Sequence, residues 1–393
     1  MDAEGVLAMA RITRQMIKEI QIKRFKGLRN TPLLKVGKVN LLAGANGRGK
    51  SSLCQVLLTL AQTWNAEAMD ALLPNGIWVK LGTYNDIHYV YDEDPTVIFH
   101  IVTDNSEYNN FNLVYSRSKS KDTLIELENA TVNGKSILDN SGYSSNSNSS
   151  GDTKEPSISL SRLSDYPSLI ALRQIHYVAA NRIAVPYRET FDENASKLNP
   201  DGSNVLSVIW NHQDDGCLEK VEELTSGILD GAIIHIESSA NELVFTLNSA
   251  KDDKLFRPAN VGYGHGYVLS VITALTIAKE NETLIVENPE AHLHPAAQAK
   301  LMNVIVGIAN KKNLQVFVET HSDHVLNTAL LAAKQGDLNK DELQLLFFSG
   351  RVNEESHYET LVRNLIVSES GHIMNPPKQF FEQYATDLEK LYL

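Results

Sequence analysis

Runs of apolar residues along the chain predict a series of strands, and stretches with helical spacing separate them. Residues 17–27 alternate apolar and polar side chains, which is typical of a half-buried strand, and residues 39–44 form a short apolar run of the buried kind. Further buried runs occur at 175–180, 283–288 and 314–319. Because strands of this kind recur between helix-like stretches, the pattern predicts an α/β fold.

Two polar segments interrupt this pattern. Residues 117–122 and 140–156 are rich in Ser, Asn, Gly, Asp and Lys, a composition that cannot bury enough apolar surface to offset the entropy lost on ordering. We therefore expect a disordered insertion at 140–156. Residues 1–15 show neither turn chemistry nor a strong period, and we expect a flexible N-terminal extension. No heptad pattern is sustained, so a long coiled coil is not expected.

Composition narrows the class of protein. The chain has 36 Lys and Arg against 48 Asp and Glu, a net charge of −12, which disfavours coating of nucleic acid by the whole surface. The longest apolar stretches, such as 268–278, are shorter than the roughly 18 residues that a membrane span needs. Two cysteines, Cys54 and Cys217, cannot build a disulfide framework, and the N-terminus is polar. We expect a cytoplasmic protein without a membrane span.

Basic residues are concentrated near the N-terminus, where residues 11–50 hold eleven Lys or Arg and one acid, Glu19. Two of the basic residues belong to the motif described next. The others could form a strip that contacts DNA, but lysines on an edge strand also protect it from pairing with other chains. Both interpretations are open. The eleven residues are Arg11, Arg14, Lys18, Lys23, Arg24, Lys26, Arg29, Lys35, Lys38, Arg48 and Lys50.

A phosphate-binding loop follows the predicted strand at 39–44. Residues 44–51 read G-x-x-x-x-G-K-S, and a helix-like stretch follows them. Glycines let successive backbone N–H groups face the phosphates at a helix N-terminus, Lys50 would contact the β and γ phosphates, and Ser51 would bind Mg²⁺. The sequence thus predicts an ATP site. Its residues are Gly44, Asn46, Gly47, Arg48, Gly49, Lys50, Ser51 and Ser52.

Carboxylates at the end of a buried strand complete a hydrolytic site. Glu287 would emerge beside Mg²⁺ as a metal ligand, and Glu290 is the predicted general base. Glu290, His292 and His294 form E-x-H-x-H, which could also hold zinc. Because Pro295 begins a helix-like stretch, the histidines more plausibly line the turn after the strand.

Two further motifs are candidates for phosphate contacts. His321 follows the buried run 314–319 and is the predicted γ-phosphate sensor, and Ser322 is placed to cap the next helix. Gly262, Gly264 and Gly266 precede a long apolar helix, where backbone N–H groups could meet a phosphate. A tight turn into that helix explains the same glycines, so both interpretations are open.

In this order, the phosphate loop, the glycine-rich turn, E-N-P-E-A-H-L-H-P and E-T-H-S resemble the ABC-type ATPase heads of the SMC, RecF and OLD groups. The closest likeness is to coil-less prokaryotic AAA-type ATPases of that clan, found in anti-phage defence systems. The segments 81–86 and 177–182 and the tail from Gly371 to Gln383 are also similar to that family. The resemblance implies a P-loop ATPase head, a mixed sheet flanked by helices, that uses ATP and Mg²⁺ and dimerises head to head or forms a higher homo-oligomer.

The resemblance also divides the chain and marks one departure. It implies an N-terminal ATPase lobe at 16–116, an insertion at 117–169 and a C-terminal ATPase lobe at 170–393, after the extension at 1–15. In relatives the glycine-rich turn reads V-G-x-G-x-S-Q and reaches the partner's ATP. Gly266 and Tyr267 replace its serine and glutamine here, which leaves the phosphate contact to backbone amides.

Three functions fit this set of motifs. The first is an ATPase switch that controls a separate effector protein, such as a nuclease, in anti-phage defence. The second is a DNA-repair clamp of the RecF or SMC type, and the third, least favoured because the L-S-G-G-Q signature is missing, is the energising subunit of a transporter. No D-x-D pair follows His321, so we expect no intrinsic nuclease domain and assign cleavage to a partner.

Overall fold

A computed structural model describes most of the chain, and its contacts divide the protein into two compact units. The first unit is formed from 1–35, 52–174 and 350–361, and the second from 36–51, 175–349 and 362–393. The predicted extension at 1–15, the low-complexity segment at 140–156 and residues 378–383 of the tail motif lie outside the described residues. The described residues are 16–66, 70–119, 124–137, 173–248, 254–262, 264–368, 370–377 and 390–391.

The predicted strands and helices at the motifs are present. The helices of the described residues are α1 (Lys50–Asn65), α2 (Tyr84–Ile87), α3 (Val205–Asn211), α4 (Cys217–Ile228), α5 (Gly264–Ile277), α6 (Pro295–Lys312) and α7 (Asp323–Gln335). The strands are β1 (Ile17–Phe25), β2 (Leu28–Asn30), β3 (Leu34–Lys35), β4 (Val39–Gly44), β5 (Thr96–Thr103), β6 (Asn110–Arg117), β7 (Ile125–Val132), β8 (Lys135–Ser136), β9 (Ile175–Val178), β10 (Arg188–Thr190), β11 (Ile233–Ser239), β12 (Glu242–Asn248), β13 (Thr283–Glu287), β14 (Gln315–Glu319), β15 (Leu343–Val352), β16 (Tyr358–Val367) and β17 (Ile373–Met374).

The first unit is built on an antiparallel sheet with the strand order β2-β1-β5-β6-β7-β8, and β3 pairs with β1. Its strands alternate buried side chains with partly exposed ones, as the pattern at 17–27 predicts. The rings of Phe25 and Phe99 pack edge to face with their centroids 5.8 Å apart. Strand β7 lies within 117–169 and continues this sheet, because Ile125, Leu127 and Val132 bury one face of it. The predicted lobe boundaries remain a prediction.

The second unit is built on a sheet with the order β17-β16-β15-β4-β14-β13-β9, and a small antiparallel sheet, β10-β12-β11, belongs to it as well. Strands β15, β4, β14, β13 and β9 run parallel to one another. Every residue of β13 and β14 is buried, which is typical of a parallel sheet covered by helices on both faces. The carboxyl ends of β4, β13 and β14 therefore meet at one edge of the sheet, where ligands of open α/β sheets bind.

Helix signals position the segments at this edge. Pro295 begins α6, as predicted, and the His294 ring caps it by accepting a hydrogen bond from the Ala296 N–H at 3.4 Å. Ser322 caps α7, as predicted, because its hydroxyl accepts from the N–H groups of His324 and Val325. Residues 268–275 of α5 are buried throughout, so this helix is part of the core.

Both cysteines are buried and unbridged. Among the residues that the structure describes, no helix is both long enough and apolar enough to cross a membrane.

Candidate functional site

The phosphate loop lies between β4 and α1 and has a backbone that requires glycine. Gly44, Gly47 and Gly49 all have positive φ angles, of 141°, 71° and 85°. At Gly44 a side chain is excluded as well, because a Cβ atom there would lie 2.1 Å from the carbonyl oxygen of Phe348 on the adjacent strand β15. The loop can therefore turn sharply from the sheet into the N-terminus of α1.

The two reactive side chains of the loop face the end of the neighbouring strand β14. The ammonium group of Lys50 donates to the carbonyl oxygens of Gly44 and Ala45, at 2.9 and 3.1 Å, and lies 4.0 Å from a Glu319 carboxylate oxygen. Burial lowers the pKa of Lys50, and the negative charge of Glu319 partly opposes this shift. Ser51 donates its hydroxyl to the same Glu319 oxygen, Oε1, at 3.1 Å. Lys50 and Ser51 thus converge on Glu319.

Glu319 is a site residue that the sequence analysis does not predict. Strands β13 and β14 pair in a register that places Glu287 directly beside Glu319, and carboxylate oxygens of the two lie within 4.8 Å of one another. Both side chains are buried, and burial raises the pKa of each carboxyl group. Glu287 Oε2 accepts from the Ala180 N–H at 3.1 Å. The available signal was that two buried runs end in glutamate, but their register is not visible in the sequence.

A hydrogen bond joins Glu290 to the backbone of His321, and their roles as general base and γ-phosphate sensor remain predictions. The Glu290 carboxylate accepts, through Oε1, a hydrogen bond of 2.8 Å from the backbone N–H of His321. Partial burial, and secondarily the charge of Lys50, lower the pKa of the His321 imidazole. That ring is therefore neutral at pH 7 and can exchange hydrogen bonds with an anion without carrying a charge of its own.

Three buried oxygen atoms in this region have no hydrogen-bond partner among the described residues: Glu290 Oε2, Glu319 Oε2 and Asn288 Oδ1. Buried acceptors are nearly always satisfied in native proteins, so a cluster of unsatisfied ones marks a place where a donor or a cation binds. Oxygen ligands are those that a hard cation such as Mg²⁺ prefers. The residues present therefore fit a hydrated divalent cation and an attacking water.

The structure does not support the zinc alternative. His294 uses its Nδ1 atom to cap α6, and the ring of His292 packs against that of Tyr267 with centroids 4.3 Å apart. Among the described residues, the side chains spaced to share a metal ion include Glu287 and Glu319 but neither of these histidines. As predicted, the histidines line the turn between β13 and α6.

The glycine-rich turn packs against that same histidine turn. Helix α5 begins at Gly264, where a Cβ atom would lie 2.8 Å from the carbonyl oxygen of His292. At Gly266 a Cβ atom would lie 2.9 Å from the backbone nitrogen of Val185. Among the described residues, the atoms nearest to these two positions belong to 184–185 and 292–293, so the structure does not place them on the phosphate loop of the same chain. Close packing explains why glycine occupies both positions.

Arg182 links the acidic strand end to α5, and this role was not predicted from the sequence. Its guanidinium group donates to the carbonyl oxygens of Ala179, Glu287 and Asn288 at 2.7–3.1 Å, and its Nε donates to the carbonyl of Tyr267 at 3.2 Å. Burial lowers the pKa of Arg182 to about 10, so the side chain stays charged at pH 7. One buried cation thus holds the backbone on which Glu287 and Glu290 are carried.

The basic residues near the N-terminus are in part paired with acids. In the first unit Lys18 lies 3.8 Å from Asp104, Arg24 lies 3.0 Å from Asp94, and Arg29 lies 3.7 Å from Asp92. In the second unit Lys38 lies 3.0 Å from Glu342. Four of the eleven basic residues that the sequence counts are thus paired with carboxylates, which weakens the case for a DNA-binding strip.

Family comparison agrees with these motifs. The family described as "AAA domain, putative AbiEii toxin, Type IV TA system" matches residues 39–327, more than half of the chain. A second family, described as "Protein of unknown function (DUF3696)", matches residues 338–391. No curated protein matches the sequence.

Solved structures share the fold. One is described as "Crystal structure of the SmcHead bound to the C-winged helix domain of ScpA"; it has 12% identity and a TM-score of 0.53, and covers 89% of this chain and 98% of its own. Another is an Smc head domain with an extended coiled coil, bound to the C-terminal domain of ScpA, derived from Pyrococcus furiosus. It has 11% identity and a TM-score of 0.52, and covers 96% of this chain and 100% of its own. At these identities the likeness shows the fold, and it confirms the predicted head architecture.

Proposed function

Because the chain belongs to the AbiEii-type AAA family, and with it to the ABC/SMC-like class of P-loop ATPases, we propose that it is an ATP-binding and ATP-hydrolysing switch subunit in a prokaryotic anti-phage defence system. Two copies close head to head on ATP and open after hydrolysis. The switch controls a separate effector protein, such as a nuclease, in the cytoplasm. The family description, which names a toxin of a type IV system, supports a role in governing a harmful activity.

The cluster of unsatisfied oxygens at Asn288, Glu290 and Glu319 is the observation that carries the hydrolytic part of this proposal. Each such atom costs about 1–3 kcal/mol when it is left buried without a partner. A site that bound nothing would gain stability by replacing these side chains, whereas a hydrolytic site needs them to hold a cation and a water. Their position beside Lys50 and Ser51 supports ATP and Mg²⁺ as the ligands.

The phosphate loop and the end of β13 bind different parts of the Mg²⁺–ATP complex. Backbone N–H groups of the loop and Lys50 bind the phosphates, and Ser51 and Glu287 bind Mg²⁺. When bound between these two side chains, Mg²⁺ would supply positive charge to the phosphates. The nucleotide-binding residues of this proposal are Gly44, Asn46, Gly47, Arg48, Gly49, Lys50, Ser51 and Ser52.

Glu290 and His321 form the switch. Glu290 takes a proton from the attacking water through Oε2, the oxygen that has no partner among the described residues. Its other oxygen is held by the backbone N–H of His321. When the neutral His321 ring contacts the γ-phosphate, any movement of its backbone shifts the carboxylate as well. Hydrolysis is thereby coupled to whether the γ-phosphate is present.

The second copy contributes through the glycine-rich turn. Gly262, Gly264 and Gly266 lie at or before the start of α5, and the helix N-terminus favours an anion. The contact is made by backbone N–H groups to the γ-phosphate of the partner, since Gly266 and Tyr267 stand where relatives have serine and glutamine. We therefore expect slow hydrolysis.

A DNA-repair clamp of the RecF or SMC type is the alternative, and the fold shared with SMC heads favours it. The ion pairs of Lys18, Arg24 and Arg29 argue against it, because paired lysines and arginines release fewer counterions on binding DNA.

Scattering in solution tests the switch. Glu290→Gln should bind ATP without hydrolysing it and should therefore form a closed dimer with ATP and an open state with ADP. Small-angle X-ray scattering should show two shapes for the two nucleotides. Lys50→Ala, which cannot hold the phosphates, is the matched control and should give one shape in both. Identical shapes for Glu290→Gln in ATP and ADP would contradict the switch.

Reconstitution with a partner tests the effector role. The purified protein alone should leave DNA uncut, and nuclease or other toxic activity should appear only with the product of a neighbouring gene and an intact Lys50. A protein that binds DNA ends or gaps by itself, and whose loss causes damage sensitivity without any change in phage resistance, would instead support the repair clamp.

A further inference from the structure

We propose that Glu319 is a direct ligand of the divalent cation and shares it with Ser51, with Glu287 as a second carboxylate on the same ion. The inference rests on the proposed nucleotide-binding function and adds a metal ligand at that site. The strand-end glutamate that the sequence predicts as the ligand, Glu287, lies one strand further away from β4 than Glu319 does.

The contacts of Ser51 provide the first argument. The serine of a phosphate loop binds the metal through its hydroxyl oxygen, so the carboxylate nearest to that oxygen is the nearest candidate to join it. The Ser51 hydroxyl lies 3.1 Å from Glu319 Oε1. The corresponding contact of Glu287 is made instead to the backbone N–H of Ala180, at 3.1 Å.

Burial provides the second argument. Glu319 is only 7% exposed, and its Oε2 atom is buried with no hydrogen-bond partner among the described residues. A buried carboxylate is costly unless a cation or several donors compensate it. Lys50 lies 4.0 Å from the other oxygen, Oε1, but it already donates to two carbonyl groups of the loop. This shared lysine leaves the Oε2 atom of Glu319 without a compensating donor among the described residues.

Spacing provides the third argument. Glu287 and Glu319 are paired residues on parallel strands, and carboxylate oxygens of the two lie within 4.8 Å of one another. Two oxygens bound to one Mg²⁺ lie up to roughly 4 Å apart, since each is about 2.1 Å from the ion. A small inward shift of the two side chains is sufficient for both to reach one cation, and the charge of the ion offsets the repulsion between them.

The affinity of the site for Mn²⁺ tests whether Glu319 is a metal ligand, and this measurement does not depend on ATP hydrolysis. Free Mn²⁺ is titrated by electron paramagnetic resonance in the presence of a non-hydrolysable ATP analogue, and analogue affinity is also measured with EDTA. Glu319→Gln should weaken Mn²⁺ binding at least tenfold, since loss of even an outer-shell partner costs about 10–100-fold. Analogue affinity in EDTA should stay the same. Glu189→Gln is the control, because Glu189 is also buried with a pKa raised by burial but bonds to Ser207.

A double-mutant cycle makes the result decisive. If Ser51 and Glu319 bind one ion, Ser51→Ala combined with Glu319→Gln should weaken Mn²⁺ binding by less than the product of the two separate losses. Comparing the ratio of analogue affinities with and without Mn²⁺ cancels any general loss of binding in a variant.

Unchanged Mn²⁺ affinity in Glu319→Gln, with or without a loss in Glu287→Gln, would overturn the inference and leave the proposed function intact. Strictly multiplicative losses in the cycle would overturn it as well. A wild-type protein that binds no nucleotide would refute the proposed function itself.

Discussion

The antiparallel sheet of the first unit and the carboxyl edge of the parallel sheet in the second unit differ in how the charges of their side chains are compensated. Around the antiparallel sheet, Arg24 and Lys18 pair with Asp94 and Asp104 at or near the surface. At the carboxyl edge, Glu290 and Glu319 each have a buried oxygen, Oε2, without a partner among the described residues. Surface pairs contribute about 0–1 kcal/mol each, whereas buried unsatisfied atoms cost about 1–3 kcal/mol. The two regions therefore differ in whether their carboxylates have partners, and the unpartnered ones lie where the proposed site is.

The largest expected difference between the two regions concerns two lysines. Burial lowers the pKa of both Lys50 and Lys26, yet Lys50 donates to the phosphate loop and Lys26 donates to the side chain of Gln55 at 2.7 Å. Lys50→Ala should abolish ATP binding in a fluorescence titration. Lys26→Ala should bind ATP as the wild type does. Equal losses in both variants would mean that lysine burial alone, and not the loop, decides binding.

The next largest effect compares two carboxylates. Glu290→Gln should lower the rate of ATP hydrolysis by about 10²–10⁴, the usual loss when a general base is removed, while ATP binding is retained. Asp94→Asn, in the first unit, removes a carboxylate whose pKa is lowered by its Thr96 hydrogen bonds and by Arg24, although desolvation opposes the shift. It should leave hydrolysis unchanged. Steady-state phosphate release measures both, and a Glu290→Gln variant with full turnover would refute the assignment.

A smaller effect compares two arginines. Arg182→Lys keeps a charge but loses the planar fork that contacts the carbonyls of Glu287 and Asn288. We expect hydrolysis to fall by between about 10- and 100-fold because Glu290 shifts, with a loss of about 2 kcal/mol in the free energy of unfolding. Arg188→Lys alters an exposed pair with Glu242 and should change neither quantity. Kinetics and urea unfolding would separate the two variants.

The smallest effect is a gain in stability. Burial raises the pKa of Glu319 in the folded protein above its ordinary value of 4.5. Below that value the group is protonated in both states, and as pH rises through the folded pKa the wild type loses stability because the buried carboxyl must ionise. Without ligands, Glu319→Gln should therefore be more stable than the wild type by about 1 kcal/mol at pH 7 and not at pH 4. Thermal melts at the two values check this, and a gain that did not depend on pH would contradict it.

The sequence predicts most of this second region. The glycines of the phosphate loop mark its turn, and the short apolar runs at 283–288 and 314–319 indicate buried strands, which the structure has as β13 and β14. Ser322 and Pro295 mark helix starts by local chemistry. Each of these signals is contained in a few neighbouring residues, which explains why each was correctly predicted.

Signals that depend on pairing between distant segments were missed. Glu319 becomes part of the site only through its register with Glu287, 32 residues earlier in the chain (319 − 287 = 32). Arg182 donates hydrogen bonds to backbone carbonyl groups of β13 and α5. Contacts to backbone groups leave no trace in the pattern of side chains along the sequence. Strand β7 follows a polar segment. The polar composition around it led to the prediction of an insertion at 117–169, although residues 125–132 themselves alternate in burial.

Close packing at Gly266 restricts how this lineage can evolve. The relatives it resembles carry serine at that position, yet a Cβ atom here would lie 2.9 Å from the Val185 nitrogen and 3.2 Å from the Ala184 Cα, and backbone atoms cannot rotate aside. A serine at this position would therefore clash with that segment unless the backbone moved. Residue 266 and the path of the segment at 184–185 thus constrain each other, so a side chain at 266 is tolerated only together with a change in that path.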